Sequence, residues 1–263
     1  MRILSGELQA ERRGQILKLI LNRPDKGNSL TPVMLEELTL QLEKAASDTA
    51  IRAVIITGAG DWAFSTGFDI SKIGKVQKKP GIELEIQETA YASIRACPVP
   101  VIAMINGYTV GGGCDLMLNC DLSVSSQNAK FAMPPAKLGV IYSPEGMERF
   151  VRTIGVINTK YLFYSGRMIS AAEALDMGLI NQAADPEKLE EVTFALAEEI
   201  AANAPLTVRA VKELLGELSA EYSRASVLKS SFGDWIERIF TSEDCREGKR
   251  AFLEKRSPVF RGE

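Results

Sequence analysis

The stretch Ile105-Asn106-Gly107-Tyr108-Thr109-Val110-Gly111-Gly112-Gly113-Cys114-Asp115-Leu116 decides how this chain is read. It continues the apolar run Val99 to Ile105, so three consecutive glycines stand between a strand-like and a helix-like segment. Without Cβ atoms, their backbone N–H groups can approach a ligand closely at the start of a helix. The natural occupant of such a cradle is an anion, or an oxygen acquiring negative charge. A tight strand-to-helix turn with no ligand would use the same residues.

Composition narrows the field. With 263 residues, 46% hydrophobic and 25% charged, the chain is an ordinary globular protein with enough apolar material for a large core. A formal charge of −3 gives no footprint for nucleic acid. The N-terminus has no basic region followed by an apolar core, and no apolar run approaches a membrane span. The four cysteines, Cys97, Cys114, Cys120 and Cys245, form no CxxC pair and read as reduced structural thiols of a cytoplasmic protein. The chain contains no histidine, which excludes a Ser-His-Asp triad, a Cys-His pair and the usual zinc hydrolase site. No metal site is expected. Proton transfer falls to Asp, Glu, Lys, Tyr, Cys or water.

Strands and helices alternate along the first part. Leu8 to Arg12 and Gln15 to Leu21 read as a hairpin around Arg13-Gly14. Thr31-Pro32 caps and opens a helix whose apolar face is Leu35, Leu38, Leu42 and Ala45. Ala53 to Thr57 has the continuous apolar pattern of a strand covered on both faces. Phe64 to Asp69 reads as a loop, Lys72 to Gly81 as a mobile polar stretch, and Glu83 to Arg95 as a helix. Val101 to Ile105 and Leu122 to Val124 are strands on either side of the helix that the glycine loop opens. Beyond Pro144 the pattern is mainly helical, with segments at Pro144–Thr153, Thr159–Tyr164, Ala171–Met177, Lys188–Asn203, Leu206–Leu218 and Ser242–Lys255. The expected organisation is a β/α core over residues 1–185 and a helical region over 186–263.

With these elements placed, the sequence resembles the crotonase (enoyl-CoA hydratase/isomerase) superfamily over its full length. The matching pieces are Leu21-Asn22-Arg23-Pro24, Asn28-Ser29-Leu30, Ala63 to Ile70, Pro100 to Ala103, Asn106-Gly107 and Gly111 to Asp115. They continue with Cys120-Asp121, Phe131, Leu138-Gly139, Ala171 to Ala174, Gly178 to Ile180 and Ala251 to Arg256. Their order and spacing together are specific. The resemblance implies an α/β fold, a right-handed spiral of ββα units with a helical C-terminal trimerisation region, assembled as a homo-trimer or hexamer.

It also implies what the two glycine loops do. A CoA thioester would place its carbonyl oxygen between two backbone amides, those of Phe68 and Gly112, which hold the developing enolate charge. Thr66, Gly67 and Gly111 would bind substrate in the same place, as would Pro135 from the later turn. Loss of one such donor costs about 3 kcal/mol of transition-state stabilisation. Coenzyme A belongs to the substrate, and no separate cofactor is implied.

The acid–base residues depart from the family's hydratases, which place two glutamates around the water. The first position is Asp115 and the second is Pro135, which cannot transfer a proton. Asp115 is either a shortened catalytic carboxylate or a helix-start residue held by nearby N–H groups. Tyr142, in Gly139-Val140-Ile141-Tyr142-Ser143, resembles the methylmalonyl-CoA decarboxylase branch, where a tyrosine orients the substrate carboxylate. That branch has a histidine where this chain has Phe68. Ser143 stands where dienoyl-CoA isomerases and the chlorobenzoyl-CoA dehalogenase carry an aspartate, which disfavours both reactions. Glu145 reads as a first-turn helix residue.

Arg23 and Lys26 match the loop beside the CoA nucleotide, and Phe252 and Lys255 match the C-terminal helix that reaches a neighbour's adenine and phosphate. The implied activity is lyase chemistry on an acyl-CoA through an enolate, with decarboxylation of a malonyl-type thioester ahead of hydration or isomerisation. An inactive acyl-CoA-binding member is the alternative outside catalysis.

Overall fold

The computed structural model describes residues 6–68, 81–221, 235 and 237–261. Asp69, Ile70 and the predicted mobile stretch up to residue 80 lie outside the described residues.

The chain opens with the predicted hairpin, β1 (Leu8–Arg13) and β2 (Ile16–Leu21), paired antiparallel. Helix α1 (Pro32–Ser47) follows, its N-terminus fixed by the Thr31 hydroxyl, which accepts the Met34 N–H at 3.1 Å. Leu35, Leu38, Leu42 and Ala45 are buried as the periodicity requires, and Met34 joins them.

Three turns of one pattern then repeat. The first is β3 (Ala53–Gly58), β4 (Ala63–Ser65) and α2 (Gly81–Ala96). The second is β5 (Val101–Ile105), β6 (Tyr108–Val110) and α3 (Gly112–Asn119). The third is β7 (Leu122–Ser126), β8 (Lys130–Ala132), a 3₁₀ turn at Pro135–Leu138, and α4 (Pro144–Ser165). In each turn the first strand joins a six-stranded sheet and the second joins a four-stranded one. The large sheet runs β1-β2-β3-β5-β7-β10, parallel from β2 onward; the small one runs β4-β6-β8-β9. Here β9 is Met168–Ser170 and β10 is Gln182–Ala184, with α5 (Ala171–Asp176) between them. This is the expected spiral of ββα units.

The small-sheet strands are the main departure from the sequence reading. Phe64 and Ser65, expected as loop, belong to β4, and β6, β8 and β9 are, like it, three residues long. The two helices expected at Pro144–Thr153 and Thr159–Tyr164 form one element, interrupted at Gly155, whose φ of 73° and ψ of 163° break the helical path.

Strand β3 is buried along its length because both faces of the large sheet are covered. One face carries the main core, with Leu19, Leu21, Val54, Ile56, Ala103 and Ile105 beneath α1, α2 and α3. The other is closed by α6 (Leu189–Ala202), whose Leu189, Phe194 and Ala197 pack on Ile16, Ile55, Ile102 and Val124. The region after residue 186 therefore supplies part of the sheet's core. Helix α7 (Pro205–Glu221) is fastened by Lys212, whose ammonium donates to Asp121 at 2.6 Å and to the carbonyls of Val99 and Ile94.

Helix α8 (Glu243–Leu253) starts at the predicted cap, Ser242, and returns to the Pro135–Leu138 turn. A Cβ on Gly248 would lie 2.4 Å from the Leu138 carbonyl oxygen, so the two backbones touch. Glu247 secures the end of the chain by accepting from Arg250, Arg256 and the Val259 N–H.

Candidate active site

The two glycine loops meet where β4 and β6 end. Leu30 N–H donates to the Gly67 carbonyl at 2.8 Å, and Thr66 N–H donates to the Gly27 carbonyl at 2.9 Å, so the first loop is held against the 23–30 turn. Gly67 has φ +82°, and a Cβ there would stand 2.7 Å from the Val110 carbonyl and 2.9 Å from the Gly112 nitrogen. Glycine is required on both counts. Gly113 is required for another reason: a Cβ there would be 2.3 Å from the Ser65 carbonyl oxygen.

Gly111 caps α3, with its N–H donating to Ala132 and its carbonyl accepting from Asp115 N–H. Gly112 is the first residue of α3, where a helical N–H has no intrahelical acceptor. Among the described residues neither the Phe68 nor the Gly112 amide has a hydrogen-bond acceptor. The Phe68 ring lies against Gly112 and packs on the core, while its amide remains available. Tyr91 of α2, fully buried, donates its hydroxyl to the Gly112 carbonyl at 2.9 Å and so steadies this peptide.

Behind the glycine loop the structure brings Asp115 and Tyr142 together and adds a residue that the sequence reading missed. Asp115 is completely buried. Tyr142 donates to its Oδ2 at 2.9 Å, while Arg149 of α4 donates from Nε to Oδ1 at 2.8 Å and from Nη2 to Oδ2 at 3.1 Å. Burial pushes the Tyr142 hydroxyl well above its ordinary pKa, and the Asp115 charge pushes it further. Burial acts against the Arg149 cation, but the hydrogen bonds and charge of Asp115 outweigh it and hold the guanidinium protonated. The Tyr142 ring packs edge-on against Phe163 at 5.8 Å. The Tyr142 hydroxyl is thus satisfied by a buried carboxylate.

A signal for Arg149 was present in the sequence. It lies three residues after Gly146 and next to Phe150, both on the buried face of α4. A charge on that face requires a buried partner.

The other predicted residues separate. Pro135 is buried at the start of its 3₁₀ turn, and its carbonyl accepts from Val140 N–H. Ser143 caps α4 by accepting Gly146 N–H at 3.1 Å, and Glu145 is in that helix's first turn, as read from the sequence. Arg23 is engaged within the chain: its guanidinium donates to the Ser29 carbonyl and hydroxyl and faces Glu7 at 3.5 Å. It organises the turn rather than standing free beside it. Lys26 and Thr66 meet at that turn, where the Thr66 hydroxyl donates to the Lys26 carbonyl at 3.4 Å. Phe252 is exposed near the end of α8, and Lys255 follows just beyond the helix.

Comparison with known proteins gives the family. The enoyl-CoA hydratase/isomerase family model matches residues 11–263. The chain belongs to this family, within the crotonase superfamily. It is 31% identical over 249 residues to the short-chain-enoyl-CoA hydratase of Clostridium acetobutylicum, covering 94% of each chain. Among solved structures it matches a methylmalonyl-CoA decarboxylase complexed with 2S-carboxypropyl CoA at a TM-score of 0.91 and 28% identity, covering 98% of both chains. It matches an enoyl-CoA hydratase from Bacillus anthracis at a TM-score of 0.78 and 34% identity, covering 98% of this chain and 100% of that one. Crotonase family membership carries with it chemistry on acyl-CoA thioesters. No described helix of this family member is long and apolar enough to cross a membrane.

Proposed function

We propose that this crotonase forms an acyl-CoA enolate between the Phe68 and Gly112 amides, and that it arises by decarboxylation of a malonyl-type thioester. The observation that carries this reading is the state of the two carboxylate positions. Asp115 has both oxygens engaged by Arg149 and Tyr142, and the other position is Pro135. Hydration asks a carboxylate to activate water, whereas loss of carbon dioxide leaves the enolate without a base to remove a carbon-bound proton.

In this mechanism the thioester oxygen accepts from the Phe68 and Gly112 amides, and α3 adds the field of its N-terminus. The substrate carboxylate stands near Tyr142, whose hydroxyl turns from Asp115 to it while Arg149 continues to hold Asp115. With the carboxylate out of the thioester plane, the breaking carbon–carbon bond overlaps the carbonyl π system. Tyr142 is a poor acid, because its phenolate would form in a buried place beside Asp115. The α-carbon proton therefore comes from water or from the medium.

No cofactor beyond the CoA of the substrate is required. Lys26, Phe252 and Lys255 are the side chains assigned to the CoA handle, and the Arg23 turn supports the loop. Exposed apolar residues on α4 and α7, among them Ile157, Tyr164, Leu206, Leu214 and Leu215, support assembly into a trimer or hexamer of a cytoplasmic enzyme.

Hydration or isomerisation is the second reading, supported by the hydratase names of its sequence relatives. A panel of CoA thioesters incubated with the protein and weighed by mass spectrometry separates the readings. Loss of carbon dioxide supports the decarboxylase, gain of water the hydratase, and a retained mass with a moved double bond the isomerase. Binding without conversion indicates an inactive acyl-CoA-binding member.

A further inference from the structure

Arg149 occupies the centre of a cluster drawn from four parts of the chain. Its fork grips both oxygens of Asp115 on α3 at 2.8 and 3.1 Å. On the α2 side it faces Glu88 at 3.6 Å and the Tyr91 ring, whose centroid is 5.7 Å away. Glu88 is itself balanced by Arg95, and Tyr91 holds the Gly112 peptide. Tyr142, before α4, completes the set through Asp115.

We propose that Arg149 is a positioning residue that sets the reactive arrangement of this site. By bracketing Asp115 it presents Oδ2 to the Tyr142 hydroxyl, so that the hydroxyl waits beside the acyl end until the substrate carboxylate takes it over, and it withdraws Asp115 from proton transfer. Carboxylate and guanidinium geometry match only in the planar, two-pronged arrangement, so the position of Asp115 is defined in orientation as well as distance. The ring of Tyr91 beneath the guanidinium links the same side chain to the peptide that carries the Gly112 amide. A single cation thus orients both the carboxylate behind the acyl group and the support of one oxyanion donor. The inference rests on the reading that this site turns over an acyl-CoA.

The test uses the full-length protein with whichever thioester the wild type converts. It measures kcat, KM and thermal melting for Arg149→Lys, Arg149→Met and Arg149→Met/Asp115→Asn. Lys212→Met, which breaks an ion pair away from the site, is the control for simple destabilisation. Arg149→Met is expected to lower kcat about a hundredfold with little change in KM, as a displaced reactive group does. The double variant, which leaves no carboxylate buried without a cation, melts higher than Arg149→Met while its kcat stays low. Arg149→Lys recovers melting but not turnover, since an ammonium cannot grip both oxygens. Lys212→Met lowers melting and leaves kcat unchanged.

Wild-type kcat in either Arg149 variant overturns the inference, as does a kcat loss matched by Lys212→Met at equal loss of melting temperature. If Arg149→Met does not fold, Arg149→Lys decides on the same criterion. Wild-type protein inert towards every thioester overturns the acyl-CoA reading, and this inference with it.

Discussion

The Tyr142 hydroxyl and the Asp115 carboxylate share a hydrogen bond of 2.9 Å, although they arrive from different turns of the spiral. Asp115 comes from the first turn of α3, directly behind the glycine cradle, and Tyr142 from the segment leading into α4. The bond joins the two side chains that the sequence separated into rival roles. It also gives each a limit: the tyrosine's proton is directed at Asp115, and the aspartate's acceptors are engaged.

That geometry changes how substitutions there are to be read. Tyr142→Phe removes the hydroxyl and leaves the Arg149–Asp115 pair intact, so turnover should fall strongly while CoA affinity stays near wild type. Asp115→Asn removes the charge opposite a largely buried guanidinium, and breaking such a pair costs about 3–5 kcal/mol. Turnover of this variant must therefore be compared at matched folded fraction. On that basis decarboxylation should be more sensitive to Tyr142 than to Asp115. The reverse ranking would favour a single-carboxylate hydratase or isomerase.

The meeting of the loops can be tested through Gly113. Its missing Cβ would stand 2.3 Å from the Ser65 carbonyl, a backbone atom that cannot yield without moving β4. Gly113→Ala should cost about 1–3 kcal/mol of stability by overpacking and should lower turnover by displacing the Gly112 amide. Denaturant melts and kcat measured together check both; a variant with wild-type stability and turnover would show that the contact is slack.

Much of this site could be read from the sequence, and its failures have physical causes. The glycine triplet, the Thr31 and Ser242 caps and the apolar faces are local signals, and each stands where the pattern put it. The small sheet was not legible, because β4, β6, β8 and β9 are three residues long, too short to display an alternation. Periodicity could not distinguish a spiral from a doubly wound sheet, since the difference lies in which sheet each short strand joins. Arg149 was overlooked because its partner is 34 residues away, and only the fold places them together. For Arg23 the matched motif could not show that Ser29 and Glu7 engage the side chain within the chain itself.

Glu247 gives a prediction in pH. Hydrogen bonds from Arg256 and Arg250, and then from the Val259 N–H, outweigh burial and hold its carboxyl below the ordinary value of 4.5. A depressed folded-state pKa contributes stability above the unfolded value and loses it as pH falls. The melting temperature of the wild type should therefore exceed that of Glu247→Gln at neutral pH, and the gap should close as pH drops through 4.5 and below. A gap independent of pH would contradict the role given to the charge.

The cysteines offer a further check on the fold. Burial pushes the Cys114 thiol up to about 12, and raises those of Cys97 and Cys120 as well. In the native protein at mildly alkaline pH these thiols should react slowly with a disulfide reagent, and all four cysteines should react promptly in denaturant. Rapid native reaction of Cys114 would show the α3 packing to be open.

The central claim is that the Phe68 and Gly112 amides stabilise an acyl-CoA enolate, and deuterium at the α-carbon reports on it most directly. The protein is incubated with a malonyl-type CoA thioester in heavy water, and the product is examined by mass spectrometry and NMR. The account predicts loss of carbon dioxide with one deuterium entering at the α-carbon, in amounts that rise with enzyme concentration. Thioester recovered with its carboxylate and without enzyme-dependent deuterium, from protein that binds it, would contradict the account.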